Sequence, residues 1–219
     1  DAYKRMNITL HHSATQLMQA GMRRVLGTHV AQKGSLVKGE HPRFDFSHFA
    51  KVSDEEMERI EAMVNEKIRE NIPVVMKSMP KDEAIKLGAM ALFGEKYGDV
   101  VRVIIMDPGY SVELCGGTHV GSTGELGLFK LTSESAVAAG VRRVEAVCGH
   151  RAEEYVNERF ALIEDLKELL RNPKDILKAI ENLQEENNEL KKHLEVMEAR
   201  QLVGIRNELL QKDEIINGI

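Results

Sequence analysis

The chain has 219 residues, of which 42% are hydrophobic and 30% charged, and its formal net charge is −5. This composition is typical of a globular protein with a sizeable core, and it excludes a membrane-spanning protein and one that binds nucleic acid through an overall positive charge. Two isolated cysteines, Cys115 and Cys148, do not form a disulfide framework, so we expect a reducing compartment, the cytoplasm.

The N-terminal segment is expected to begin with a short strand or an extended lead-in over residues 5–11. The apolar spacing that follows predicts a helix from Ser13 to Leu26, which Gly27 ends. Positions 12 and 16 are one turn apart on such a helix. The sequence therefore places two polar side chains, His12 and Gln16, on one face of the first helix.

Alternation of Phe44 and Phe46 with polar residues predicts a hairpin within residues 28–49, with turns marked by Gly34, Gly39 and Pro42. A capping-box pattern at Ser53 then predicts a second helix. Further elements are expected in chain order: a strand at 72–77, a helix from Asp82 to Phe93 closed by Gly94, and strands at 99–106, 110–114, 126–133 and 141–147. Residues 1–150 are therefore expected to form an α+β domain in which helices pack on a mixed sheet.

Residues 151–219 are expected to form a helical extension. Helices are predicted at 152–171 and from residue 174 onwards, with a break at Asn172 and Pro173. The second helix carries apolar residues in steps of four and three over residues 174–201, with Asn187 at one core position of this heptad pattern. Two alternatives remain open: self-association through a parallel dimeric coiled coil, or a hairpin in which the two helices pack on each other.

The segment from Cys115 to His119 has the spacing of a metal-binding motif. Two glycines between a thiol and an imidazole let the backbone turn tightly, so that both side chains can reach one point. The alternative is a buried thiol beside a hydrogen-bonded histidine. The zinc-protease pattern, with a glutamate directly after the first histidine, is absent from the sequence, and no acidic residue is evident as a general base beside either motif.

Five motifs in one order resemble the editing domain of alanyl-tRNA synthetases. They are His12-Ser13-Ala14-Thr15, Gln32-Lys33-Gly34-Ser35, Arg43-Phe44-Asp45-Phe46-Ser47-His48, Glu113-Leu114-Cys115-Gly116-Gly117-Thr118-His119 and Gly140-Val141-Arg142-Arg143-Val144-Glu145-Ala146. The resemblance covers about residues 1–150. It implies a fragment that holds the editing domain and the start of the C-terminal oligomerisation region, and that lacks the ATP-dependent aminoacylation site.

The resemblance implies hydrolysis of Ser-tRNA and Gly-tRNA mischarged on tRNA(Ala), with the acceptor end of that tRNA as the partner. An alanine site cannot reject glycine, or one added hydroxyl, by binding alone, so a second hydrolytic sieve is needed. Two alternatives are a free-standing AlaX-type deacylase and a tRNA-binding and oligomerisation module with weakened catalysis.

The same resemblance implies which residues form the site. Zn²⁺ would be held by His12, Cys115 and His119, with Gln16 at the position where the family usually has a fourth histidine. A bound metal would lower the pKa of the attacking water or position the substrate.

Three polar residues match the family's amino-acid pocket and are expected to act in catalysis: Thr15, Gln32 and Ser35. Without the resemblance, the Thr15 hydroxyl would be expected to bond its own helix backbone, and Gln32 and Ser35 would be ordinary turn residues.

Three basic residues are expected to contact tRNA phosphates near the acceptor end, namely Lys33, Arg43 and Arg142, and Arg142 is favoured among them. The alternative for all three is an exposed side chain that is only solvated. For Arg142 another alternative is an ion pair within the sheet.

Overall fold

The computed structural model describes residues 1–37, 42–91 and 97–211. The chain divides into two compact units, Asp1–Glu158 and Arg159–Ile219. Unit 1 combines helices with two antiparallel sheets, which confirms the α+β class, and a long helix dominates unit 2. In chain order the elements are α1 (Ala2–Leu26), β1 (Gln32–Val37), β2 (Pro42–Ser47), α2 (Asp54–Arg69), β3 (Val75–Pro80), α3 (Lys81–Lys86), β4 (Val100–Met106), β5 (Ser111–Leu114), β6 (Phe129–Ala138), β7 (Val141–Cys148), α4 (His150–Leu169) and α5 (Ile176–Leu210).

Helix α1 begins much earlier than the sequence predicted. The Asp1 carboxylate accepts hydrogen bonds from the backbone N–H groups of Tyr3 and Lys4, and the helix runs unbroken from Ala2 to Gly27, where φ is +117°. The extended lead-in expected at residues 5–11 is therefore wrong. Its β-branched residues favour a strand locally, but Leu10 is buried with the rest of the helix face, and this packing overrides the local preference.

The first sheet has the strand order β1-β2-β7-β6, and every pair is antiparallel. The predicted hairpin is confirmed as β1 and β2, with Phe44 and Phe46 fully buried on one face. Of its expected turn residues, Gly39 lies outside the described residues, whereas Gly34 lies within β1 and Pro42 begins β2, so turns at these two positions are wrong. Residues 134–138, which lie between the predicted strands at 126–133 and 141–147, belong instead to β6, and Gly140 then turns the chain at a φ of +70°.

Helix α2 packs against α1 and covers the core of unit 1. The predicted capping box is confirmed, because Ser53 accepts from the Glu56 N–H and the Glu56 carboxylate accepts from the Ser53 N–H. Ile60, Val64 and Ile68 follow at helical spacing and are buried. Helix α2 thereby contacts α1 and strand β6, and α1 contacts the other three strands of the first sheet.

The second sheet has the order β3-β4-β5, again antiparallel. Strand β3 lies at Val75–Pro80, three residues beyond the predicted start. Helix α3 stops at Lys86 and Gly88 has a φ of +80°, so the longer predicted helix is wrong; its expected end, Phe93 and Gly94, lies outside the described residues. Strand β5 ends at Leu114, which fixes the backbone directly before Cys115.

Unit 2 contains the end of α4 and all of α5. Arg171 and Asn172 have positive φ values before Pro173, which accounts for the predicted break, and Asp175 caps α5. Helix α5 continues through Gly204 to Leu210, and none of its described residues is buried. Within the described part of the chain, no helix is long and apolar enough to cross a membrane.

Candidate metal and ester-hydrolysis site

Three side chains from distant parts of the sequence form a cluster in unit 1. The Sγ atom of Cys115 lies 3.3 Å from His12 Nε2 and 3.3 Å from His119 Nε2, and all three potential ligand atoms lie within 4.8 Å of one another. One thiol and two imidazoles form a donor set that suits Zn²⁺. The structure therefore brings together three of the residues that the sequence singled out.

Local backbone geometry explains why these side chains converge. His12 comes from the middle of α1, whereas Cys115 and His119 lie in the loop after β5. A Cβ atom at Gly117 would lie 2.1 Å from His12 Cε1, so only glycine lets the loop approach the imidazole this closely. The Arg102 guanidinium donates to the carbonyl groups of Gly117 and Cys115 and fixes the loop from the other side.

Burial sets the charge state of the cluster. It lowers the pKa of His119 to about 3 and also lowers that of His12, and the neighbouring Arg102 acts in the same direction on both. Burial raises the pKa of the Cys115 thiol. Both imidazoles are therefore neutral in the metal-free protein, and neutral imidazole is the form that binds a metal. Of the three potential ligands, only the Cys115 thiol has to release a proton when a metal binds.

A cavity of about 120 Å³ opens beside this cluster, and α1, β1 and the end of β5 contribute its walls. The lining residues are His12, Thr15, Gln16, Gln19, Gln32, Ser35, Glu113, Leu114 and Cys115. The three polar residues expected in an amino-acid pocket thus lie around one cavity with two of the proposed metal ligands. Their role in catalysis stays a prediction.

Gln16 faces the same site one turn after His12. It is 4% exposed, its side chain shares a hydrogen bond with Cys115, and its Oε1 atom has no hydrogen-bond partner among the described residues. A buried carbonyl oxygen without a donor is costly unless something pairs with it. The glutamine is therefore positioned beside the thiol as a neighbour of the three-ligand cluster.

The Thr15 hydroxyl group already donates a hydrogen bond within its own helix. Its hydroxyl donates a 2.7 Å hydrogen bond to the His11 carbonyl oxygen, as expected for a helical threonine bonded to its own backbone. The proton is thereby committed, and the Oγ1 atom keeps only acceptor capacity towards the cavity. Thr15 can accept a hydrogen bond from a ligand in the cavity but cannot donate one.

Glu113 is a cavity residue that the sequence reasoning missed. No acidic residue was evident as a base, yet Glu113 lines the cavity, is 4% exposed, and has an Oε1 atom without a partner among the described residues. Burial raises its pKa to about 8. Its position two residues before Cys115 in a strand was the available signal, because alternate strand residues share a face.

The three basic residues expected to contact phosphate lie outside the cavity lining. Lys33 is exposed on β1, and Arg43 is half-buried on β2 with its Nε atom unpaired among the described residues. Arg142 on β7 forms a bidentate ion pair with Glu134. The structure thus shows the ion pair that was the alternative for Arg142, and tRNA contact by these three residues stays a prediction.

Comparisons with known proteins show which family the chain is similar to. Residues 101–145, which include Cys115 and His119, match the family model described as the threonyl and alanyl tRNA synthetase second additional domain. The chain is similar to the alanine–tRNA ligase of Cytophaga hutchinsonii, with 52% identity over 95% of the chain and 24% of the relative. It is 49% identical to the Bacteroides fragilis and 47% identical to the Burkholderia orbicola alanine–tRNA ligase, over 100% of the chain and 25% of each relative. The chain thus spans about a quarter of the length of these relatives.

Proposed function

The chain belongs to the alanyl-tRNA synthetase family and corresponds to its editing-domain region, and from this premise we propose that unit 1 hydrolyses mischarged tRNA(Ala). The proposed substrates are Ser-tRNA and Gly-tRNA, cleaved at the ester between the amino acid and the terminal adenosine. One observation carries the proposal: the His12–Cys115–His119 cluster opens directly onto a small polar cavity. A cavity of about 120 Å³ suits a small aminoacyl group.

The residues present fit a zinc ion. Three donor atoms already converge, two of them on neutral imidazoles, and Gln16 Oε1, which has no partner among the described residues, leaves one buried acceptor beside them. A structural zinc site has four protein ligands, whereas a catalytic site has three and an open position. A zinc ion held by His12, Cys115 and His119 would supply a Lewis acid for the ester, or a fixed point for positioning the substrate.

The protein's own residues define how the substrate is held. Thr15 Oγ1 accepts from the hydroxyl of a seryl group, because its own proton is bonded to the His11 carbonyl oxygen. Gln32 and Ser35 on β1 close the opposite wall. Water then adds to the ester carbonyl carbon and the ribose oxygen leaves, so that free serine or glycine and intact tRNA are released.

The proposed partner is the acceptor end of tRNA(Ala), with Lys33, Arg43 and Arg142 as candidate phosphate contacts. Arg142 already forms an ion pair with Glu134, so a phosphate has to compete with this carboxylate for the guanidinium. In addition, we propose that α5 self-associates, because its heptad side chains Leu183, Leu190, Leu194 and Met197 are all more than half exposed.

The experiment that tests the proposed activity measures hydrolysis of Ser-, Gly- and Ala-tRNA(Ala) by the purified chain. We expect Ser-tRNA and Gly-tRNA to be cleaved and Ala-tRNA to be spared. Cys115→Ala is expected to abolish both hydrolysis and zinc binding, whereas Cys148→Ala, a buried cysteine in β7 away from the cluster, serves as the matched control.

The second candidate function is a tRNA-binding and oligomerisation module with weakened catalysis, and the amide at position 16 is the observation that favours it. A neutral amide is a weaker zinc ligand than imidazole. If the chain binds tRNA but leaves Ser-tRNA intact even with added zinc, this second function replaces the first.

A further inference from the structure

The Ser13 hydroxyl joins α1 to the metal-ligand loop at a fully buried position. Its Oγ atom lies 3.1 Å from the Thr9 carbonyl oxygen, 3.2 Å from His119 Nδ1 and 3.2 Å from the Val120 backbone nitrogen, and Ser13 is 0% exposed. The three partners lie within hydrogen-bond distance of one oxygen. Neither the sequence motif nor the cavity lining assigns a role to this side chain.

Counting protons fixes the direction of each bond. A hydroxyl has one proton to donate and two lone pairs that accept. The Thr9 carbonyl can only accept and the Val120 N–H can only donate, so the hydroxyl proton points to Thr9 and one lone pair receives Val120. The remaining lone pair faces His119 Nδ1. All three contacts are therefore hydrogen bonds only if Nδ1 carries a proton and donates it to Ser13 Oγ.

We propose that Ser13 is a positioning residue that holds His119 in its Nδ1–H tautomer, so that the Nε2 lone pair is directed towards Cys115 Sγ and the metal position. Nε2 lies 3.3 Å from that sulfur on the opposite side of the ring from Ser13. The inference rests on the proposed metal site for its functional meaning. The His119 tautomer that the Ser13 hydroxyl fixes is expected with or without bound metal.

The other histidine of the cluster is held in a comparable way by a backbone group. His12 hydrogen-bonds the Thr118 backbone, while its Nε2 atom faces Cys115 at 3.3 Å. Each imidazole therefore uses one nitrogen for support and leaves the other for the cluster. Outer partners of this kind orient a ligand and raise its basicity, and their loss costs about 10–100-fold in metal affinity.

The experiment begins with the metal-free wild-type chain, without any substitution. Long-range ¹H–¹⁵N NMR reads the protonation of each ring nitrogen, and a His119→Asn variant assigns the His119 signals. We expect a protonated Nδ1 and an unprotonated Nε2. An Nε2–H tautomer in this sample would overturn the proposal, whatever the metal content or activity of the chain.

Three variants then test the consequence for metal binding, with zinc alone as the probe and a chromophoric chelator as the competitor. Ser13→Ala is expected to weaken zinc binding about 10–100-fold and to mix the two His119 tautomers. Ser13→Thr retains the hydroxyl and is expected to recover most of both properties. Ser111→Ala is the matched control, because Ser111 is 3% exposed and its hydroxyl has no partner among the described residues.

The outcomes separate this inference from the proposed function. If Ser13→Ala folds, by circular dichroism, and binds zinc as tightly as wild type, Ser13 is not a positioning residue. If the wild type shows the expected tautomer but does not hydrolyse Ser-tRNA with zinc bound, the proposed function fails and the inference stands.

Discussion

At the scale of single residues, the site depends on how each polar atom is already used. Thr15 donates its proton to its own helix, and Ser13 is shared among three partners. By contrast, Gln16 and Glu113 each keep a buried oxygen without a partner among the described residues. Such unpaired buried groups are expensive, so they mark where a ligand gains the most from binding.

Thr15→Val removes the acceptor while keeping the shape of the side chain. We expect kcat/KM for Ser-tRNA hydrolysis to fall about tenfold, the effect of losing one hydrogen bond worth about 1.4 kcal/mol. Gly-tRNA has no side-chain hydroxyl and serves as the internal control, with a much smaller fall. Equal losses for the two substrates in single-turnover assays would show that Thr15 does not contact the serine hydroxyl.

Gln16→His supplies an imidazole one helical turn from His12. We expect zinc to bind at least about tenfold more tightly, or about 1.4 kcal/mol, because imidazole is a stronger zinc ligand than an amide. Gln19→His is the matched control, since Gln19 lies on the same helix and lines the same cavity. Competition with a chelator measures the zinc affinity of both variants. Equal affinities of Gln16→His and Gln19→His would show that residue 16 does not reach the metal.

The sequence predicted which residues lie close together better than it predicted how their atoms are hydrogen-bonded. Cys115 and His119 were recognisable because their spacing is short and glycine-rich. Ser13 was quoted within a motif but given no role, and Glu113 was overlooked as an acid, because their importance depends on burial and on partners from distant segments. Strand alternation indicated that Glu113 lies on the same face as Cys115, but no local pattern reports that this carboxyl group is buried in a cavity wall.

At the scale of elements, the site depends on a long helix and on the rigid ends of strands. Helix α1 supplies four of the cavity residues at successive turns, β1 supplies two, and β5 ends directly at the loop that carries Cys115. The prediction of β4 and β5, the hairpin and the capping box was confirmed, because strong periodicity or an explicit cap defined them. The start of α1 and the end of α3 were wrong, because tertiary packing and a glycine at positive φ decided them.

The cross-strand pair of Asp45 on β2 and Arg143 on β7 gives a test of the first sheet. Two hydrogen bonds, of 2.6 and 2.9 Å, from the guanidinium lower the pKa of Asp45 below its ordinary value of 3.8. A depressed carboxyl pKa stabilises the fold above the unfolded pKa, and this contribution is lost as the pH falls through the folded pKa. The pair should therefore matter at neutral pH and not in strong acid.

Asp45→Asn is expected to lower the free energy of unfolding by about 1 kcal/mol at pH 7, the upper range for a partly exposed ion pair. The difference from wild type should shrink as the pH falls below 3.8. Urea unfolding at several pH values measures it, with Glu58→Gln, an exposed acid on α2, as the control. If Asp45→Asn lowers the free energy of unfolding by the same amount in acid as at pH 7, packing and not the ion pair is responsible.

At the scale of the whole chain, the two units have different sources of stability. Unit 1 has a buried core around α1, α2 and the first sheet, whereas no described residue of α5 is buried. The sequence left a hairpin and a coiled coil open for the second helix. The heptad residues of this helix are exposed, and an amphipathic helix gains most of its stability when its apolar stripe packs against a partner. This favours the coiled coil.

Leu190→Glu introduces a charge into the α5 heptad pattern. We expect the wild-type chain to sediment as a dimer and this variant as a monomer, because a charge at a core position must be desolvated. Leu202→Glu, at an exposed position after residues 174–201, is expected to remain dimeric. If the wild-type chain sediments as a monomer at micromolar concentration, the proposal that it self-associates through α5 is wrong.

We propose above all that the three-ligand cluster and its cavity form one hydrolytic site. The most direct measurement is the rate of Ser-tRNA(Ala) hydrolysis by metal-stripped protein titrated with zinc. We expect a hydrolysis rate that rises in proportion to bound zinc, reaches its plateau at one equivalent of zinc and is absent in Cys115→Ala. Full hydrolysis by the metal-stripped wild type, or by Cys115→Ala, would contradict it.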